Sequence, residues 1–153
     1  MFTMKKERLL TKIEDGWMTF IESFAGLTDD MLMESGAVGQ WSVRDVLAHI
    51  STWEEEAIKV FPLILDGKPL PLYRQCGGID AFNAREQERK RYLSLEQVKD
   101  ELAVTHQRLI QILAETPESV FSLNKRLDKR FRYDTYGHYR EHADQIIKWR
   151  SVE

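Results

Sequence analysis

The sequence has a single cysteine, Cys76, among 153 residues, so no disulfide can form within the chain. Such cysteine usage fits a reducing compartment, and a cytoplasmic location is the expectation. No uninterrupted apolar run approaches the roughly 18 residues that span a bilayer. Nor does an apolar stretch of signal-peptide length follow the lysines of Met1 to Lys12, so no membrane partner is expected. A basic excess is missing too. The 22 Lys+Arg against 25 Asp+Glu leave a formal charge of -3, which argues against nucleic acid as a partner. Gly-rich phosphate loops, a Ser-His-Asp order and a paired-carboxylate signature are all absent. Histidine is scarce, with four residues in all. By contrast, 42% of the residues are hydrophobic, too many for a disordered chain. The length suits one domain over residues 1–153.

Helical periodicity is the strongest positive signal. From Leu9 the apolar positions run Leu10, Ile13, Trp17, Phe20, Ile21 and Phe24. That spacing makes one stripe on a helix and would scatter over both faces of a strand. Gly26 ends it, and Thr28 offers an N-cap in the short polar connection after it. A second helix starts at Ser42, with Asp45 in its first turn, and carries Val43, Val46, Leu47, Ile50, Trp53, Ala57 and Val60. Pro62 and then Asp66-Gly67-Lys68-Pro69 are expected to close it. Asp80 is expected to cap a short polar helix, and Ser94 with Gln97 forms a capping box before a third long stripe from Leu95 to Ile112. The charge-rich segment Ser122 to Tyr133 alternates poorly and reads as a loop or short hairpin. A last helix begins near Asp134 or Thr135 and turns Tyr139, Ala143 and Ile146 toward the core. The expectation is an all-α four-helix bundle, with a long, part-helical connection between the second and third long helices.

The histidines carry the candidate chemistry. His138 and His142 stand four apart on the last helix, so they share one face about 6 Å apart along the axis. Two imidazoles at that spacing can hold one metal ion without distorting the backbone. A third ligand has to come from another helix. His49 borders the buried stripe of the second helix and should point inward. His106, four after Leu102, is its rival, although a satisfied core histidine is the commoner role for such a position. A histidine pair of this kind also occurs merely at a core edge.

Other features read more blandly. Glu141 beside His142 is expected at the surface, and Cys76 as a plain free thiol. The run Lys125 to Arg132 has five positive charges and one negative. It reads as a solvated loop, with steering of an anionic substrate as the alternative. The tryptophans are expected in the core or at an interface.

The stretch Trp41-Ser-Val-Arg-Asp45-Val-Leu-Ala-His49-Ile, followed by Trp53 and later by His138-x-x-x-His142-x-x-Gln145-Ile146, resembles the DinB-like (damage-inducible) four-helix bundles. The likeness spans nearly the whole chain. Asn83 and the Ser94 box are similar to the branch of colibactin self-protection proteins, which lack the complete histidine triad that this chain keeps. The resemblance implies one divalent transition metal, Zn or Ni with Fe as an alternative, held by His49, His138 and His142. It further implies a homodimer, a small-molecule substrate and a low-molecular-weight thiol as co-substrate. Asp45 and Gln145 are candidates to orient the imidazoles, and Tyr136 and Tyr139 to line the pocket.

The resulting expectation is a metal-dependent enzyme that activates a thiol or water for transfer to, or hydrolysis of, a small electrophile. Its catalytic residues are not identified by the sequence. Two alternatives stand beside it. One is a non-catalytic bundle with a structural or sensory metal site, closed by His106 as a fourth ligand. The other is metal-free hydrolysis or sequestration of a toxic small molecule.

Overall fold

Short polar residues set the helix starts. Thr28 accepts a hydrogen bond from the Met31 amide. Ser42 accepts one from the Asp45 amide while the Asp45 carboxylate accepts one from the Ser42 amide, at 3.1 and 3.0 Å. Ser94 and Gln97 make the same reciprocal pair. Each box satisfies two amides that the first helical turn leaves open.

The computed structural model describes residues 5–152, apart from the side chains of Leu123 and Lys125. Its helices are α1 (Lys5–Ser23), α2 (Asp29–Leu32), α3 (Val43–Leu65), α4 (Ile79–Lys90), α5 (Leu95–Glu115), α6 (Glu118–Leu123), α7 (Lys125–Asp134) and α8 (Tyr136–Arg150). Among the described residues the only β-type pairing is an isolated bridge between Val38 and Trp41, so the fold is all-α. None of these helices is long and apolar enough to cross a membrane.

The four longest helices, α1, α3, α5 and α8, supply most of the core. α1 packs along α8 and α3 along α5. Ile13 and Phe20, Leu47 and Ile50, Leu109 and Leu113, and Tyr139 and Ile146 meet at the centre. The connection from α3 to α5 holds a 3-10 turn (Tyr73–Cys76) and α4, so it is part-helical as expected.

The element ends differ from the sequence reading in three places. Pro62 does not close α3, which runs through it to Leu65. Proline has no N–H to give the turn before it, but the burial of Val60, Phe61 and Ile64 around it holds the segment in the core as helix. Asp80 is not the cap of α4. Gly78 occupies that position and Asp80 sits in the first turn, where its charge suits the helix dipole. The segment read as a loop or hairpin is α6 and α7. Only Leu127 and Phe131, four apart, anchor α7 in the core, too sparse a stripe to stand out amid the charge.

α7 and α8 meet at a tight joint. Asp134 and Thr135 are fully buried there, and a Cβ on Gly137 would lie 2.6 Å from the Arg132 carbonyl oxygen. Glycine is what lets the end of α7 come down onto the first turn of α8.

Replacing Ser94 with alanine removes half of one capping box. The unfolding free energy from urea titration should fall by about 1 kcal/mol, with the m-value unchanged.

Candidate metal centre

His49 reaches the site from the second turn of α3, because Val46 and Ile50 on either side bury that face. His138 and His142 come from the first two turns of α8. The Nε2 atoms of all three converge. His138 Nε2 lies 2.9 Å from His49 Nε2 and 2.9 Å from His142 Nε2. His49 and His142 are each only 6% exposed.

Three ring nitrogens this close, on largely buried side chains, form an electrostatic problem. Charging any of them is unfavourable. Burial, then His142 and Lys90, pushes His49 down to about 3. Burial, then His142 and His49, holds His138 well below the usual histidine range. Burial also lowers His142, against the pull of Gln145 and Glu141. Neutral rings leave lone pairs facing one another unless a proton or a cation lies between them.

Gln145 decides one tautomer. Its Oε1 lies 2.6 Å from His142 Nδ1, which must therefore carry the proton and donate it. The Nε2 lone pair is left for the cluster. His138 Nδ1 is buried without a partner. Neutral, converging imidazoles, one with its tautomer set from behind, form the donor set that a divalent transition metal takes. The three residues therefore fit such an ion, and among the described residues no fourth His, Cys, Asp or Glu joins them.

The other candidates fall elsewhere. Asp45 does not orient His49, because its carboxylate is taken by the Ser42 amide and by Arg44 Nη1 at 3.1 Å. Tyr136 and Tyr139 do not line the cleft. Tyr139 is fully buried and donates to Glu54 Oε2 at 2.8 Å.

His106 belongs to that second cluster. Its Nδ1 lies 2.7 Å from Glu54 Oε2, its Nε2 lies 3.1 Å from Glu14 Oε1, and its ring stacks on Trp17 at 3.6 Å. It is a satisfied core group. With both nitrogens engaged, it has none left for a metal. The role of Glu54 is open to inference from sequence, since it stands four after Ile50 and three before Ala57 on an otherwise apolar stripe. A charge at such a position calls for a buried partner. Glu14 stands in the same way four after Leu10 and three before Trp17, so it carries that signal too, although neither position names His106 as the partner.

A cleft of about 750 Å³ opens over the three histidines. Trp41 and Trp53 form walls of it, while Lys129, Arg132 and Glu141 stand at its lining. Trp41 is placed by its backbone pairing with Val38 just before α3, and its ring lies 4.8 Å from that of His49. Trp53 is held by a 2.9 Å bond from its indole N–H to Asn83 Oδ1. Sequence alone marks these tryptophans only as packing and Glu141 as plain surface.

An all-α bundle with three converging histidines under a cleft is what the fold and geometry define. The chain belongs to the DinB superfamily, whose family model matches residues 12–146. No curated protein matches it. Three solved structures share the fold, each with a TM-score of 0.78. An uncharacterised protein from Escherichia coli UTI89 is 16% identical, with 98% of this chain and 95% of that one covered. The colibactin self-resistance protein ClbS, in complex with double-stranded DNA, is 14% identical, with 97% and 96% covered. The sibling lethal factor precursor DfsB is 16% identical, with 99% and 98% covered.

These geometries set two expected outcomes. Replacing His106 with alanine leaves Glu54 buried with Tyr139 as its remaining partner. It should cost on the order of 3 kcal/mol in urea unfolding. The second concerns pH in the metal-free protein. His49 is depressed when folded, so between pH 6.5 and about 3 the unfolded chain binds a proton that the folded one does not. Stability contributed by the neutral ring is present above pH 6.5 and lost as pH falls toward 3. The unfolding midpoint should therefore drop more steeply from pH 7 to 4 in wild type than in His49→Ala.

Proposed function

We propose that the protein is a metal-dependent enzyme acting on a small molecule, with His49, His138 and His142 as the metal ligands. The observation that carries this reading is the convergence of three neutral Nε2 atoms at the base of an open cleft. An ion held by three uncharged imidazoles keeps its full charge and brings a thiol or a water molecule toward deprotonation near neutral pH. Imidazole ligation suits Zn, Ni or Fe.

The protein's own groups do the rest. Gln145 keeps the His142 proton on Nδ1, so that Nε2 stays a donor to the metal. Trp41 and Trp53 wall the cleft and limit water around the reacting groups. Our reading of the reaction is transfer of a low-molecular-weight thiol to a small electrophile, or hydrolysis of that electrophile.

A structural or sensory metal site is the weaker reading. It calls for a fourth protein ligand, and His106 is engaged by Glu54 and Glu14 instead. Self-protection against a toxic small molecule is favoured as a biological context by the fold shared with the self-resistance protein ClbS. The DNA in that complex is not carried over here, because this chain has a formal charge of -3 and presents a concave cleft. A homodimer in the cytoplasm completes the proposal.

Metal content by mass spectrometry on untagged protein tests it, together with turnover of a generic electrophile with several thiols. Wild type should carry about one ion per chain, absent from His49→Ala and His142→Ala. Turnover should disappear on metal removal. Full turnover in a metal-free preparation would contradict the mechanism.

A further inference from the structure

The lining of the cleft carries an unbalanced charge. Lys129 and Arg132 come to it from α7, and Glu141 alone opposes them from α8. Lys129 and Arg132 are three residues apart, so they share one face of α7 with their Cβ atoms about 5–6 Å apart. Among the described residues neither is in an ion pair with a carboxylate, whereas Arg130 between them is held by Asp134.

α7 is fixed in place by its other side. Leu127 and Phe131 are buried in the core. Arg130 Nε donates to Asp134 Oδ2 at 2.7 Å and Arg130 Nη2 to the Tyr73 hydroxyl at 2.7 Å. Tyr73 in turn donates to Glu56 on α3 at 3.1 Å. The close approach of Gly137 to the Arg132 carbonyl ties the same segment to α8, one residue before His138. The two cations therefore stand on a helix with a set position relative to the histidines.

Trp41 and Trp53 give the cleft two flat aromatic walls. Trp53 is clamped by Asn83 and packed by Tyr73 and Phe82 at 5.2 and 5.3 Å. Trp41 leans over His49. A cleft of about 750 Å³ matches a ligand of ordinary small-molecule size.

From this arrangement we infer that the cleft selects a small molecule with an anionic group on a planar, apolar body. Lys129 and Arg132 take the anionic end, and Trp41 and Trp53 hold the body against the three histidines. A carboxylate or a phosphate would satisfy the same pair of cations. The inference rests on reading the cleft as the substrate site proposed above.

Calorimetric titration with 1-naphthoate, 1-naphthyl phosphate and neutral 1-naphthamide tests it, on metal-loaded and metal-depleted protein. In both forms the better anion should bind at least about tenfold more tightly than the amide, and which anion wins names the group. Lys129→Gln and Arg132→Gln should each weaken that binding about 3- to 10-fold, and the double variant should lose the preference. Both side chains are exposed, so thermal midpoints and metal content should stay at wild-type values. Glu141→Gln should tighten anion binding about two- to threefold.

Equal affinity for anion and amide would overturn the inference. So would anion binding unchanged in the double variant, or no binding of any probe at millimolar concentration. The two readings fail separately. A wild type that takes up no metal even on reconstitution, yet shows the Arg132-dependent preference, removes the proposed chemistry and keeps the anion site. A metal-loaded protein with no preference does the reverse.

Discussion

The Glu54 carboxylate is fully buried where α3 faces α5 and α8, and the arrangement of the helices depends on how it is satisfied. Tyr139 from α8 and His106 from α5 both reach its Oε2, at 2.8 and 2.7 Å. His106 passes the connection on to Glu14 of α1. One buried carboxyl group thus addresses the other three long helices. Leaving such a group unmatched costs several kcal/mol, so rotating any of these helices is strongly disfavoured.

That constraint sets the register of the histidines. Successive residues turn by about 100° around a helix. Tyr139 comes directly after His138 and precedes His142 by three, so fixing Tyr139 on Glu54 also fixes the direction of both imidazoles. His49, five residues before Glu54, is set by the same contact from the α3 side. The aromatic stack of His106 on Trp17 and the edge contact of Trp17 with Tyr139 add packing to the polar link. A rigid polar core beneath a cluster of neutral nitrogens is the support that a metal-binding constellation needs.

Much of this is legible in the sequence because its determinants are local. The boxes at Ser42 and Ser94 mark two helix starts through residues three apart, and the apolar stripes reveal the long helices by period. The histidines at positions 138 and 142 share a face for the same reason, and the place of His49 is set by the buried edge of α3. What stays hidden depends on contacts distant in the chain. Glu14 meets His106 across a separation of 92 residues, and nothing in the neighbourhood of either announces the other. α7 escapes notice because only two buried apolar residues, Leu127 and Phe131, mark its core face, and the charges around them resemble those of a solvated loop. Asp45 shows the opposite hazard: a carboxylate one turn from a histidine is spent on capping its own helix.

Anomalous diffraction at the absorption edge of the metal carried by the purified protein tests the central claim most directly. A single strong peak about 2.0–2.2 Å from Nε2 of His49, His138 and His142, with no fourth protein ligand, is the predicted result. A metal peak elsewhere in the bundle would contradict it. So would three histidines linked only by hydrogen bonds in crystals grown with excess metal.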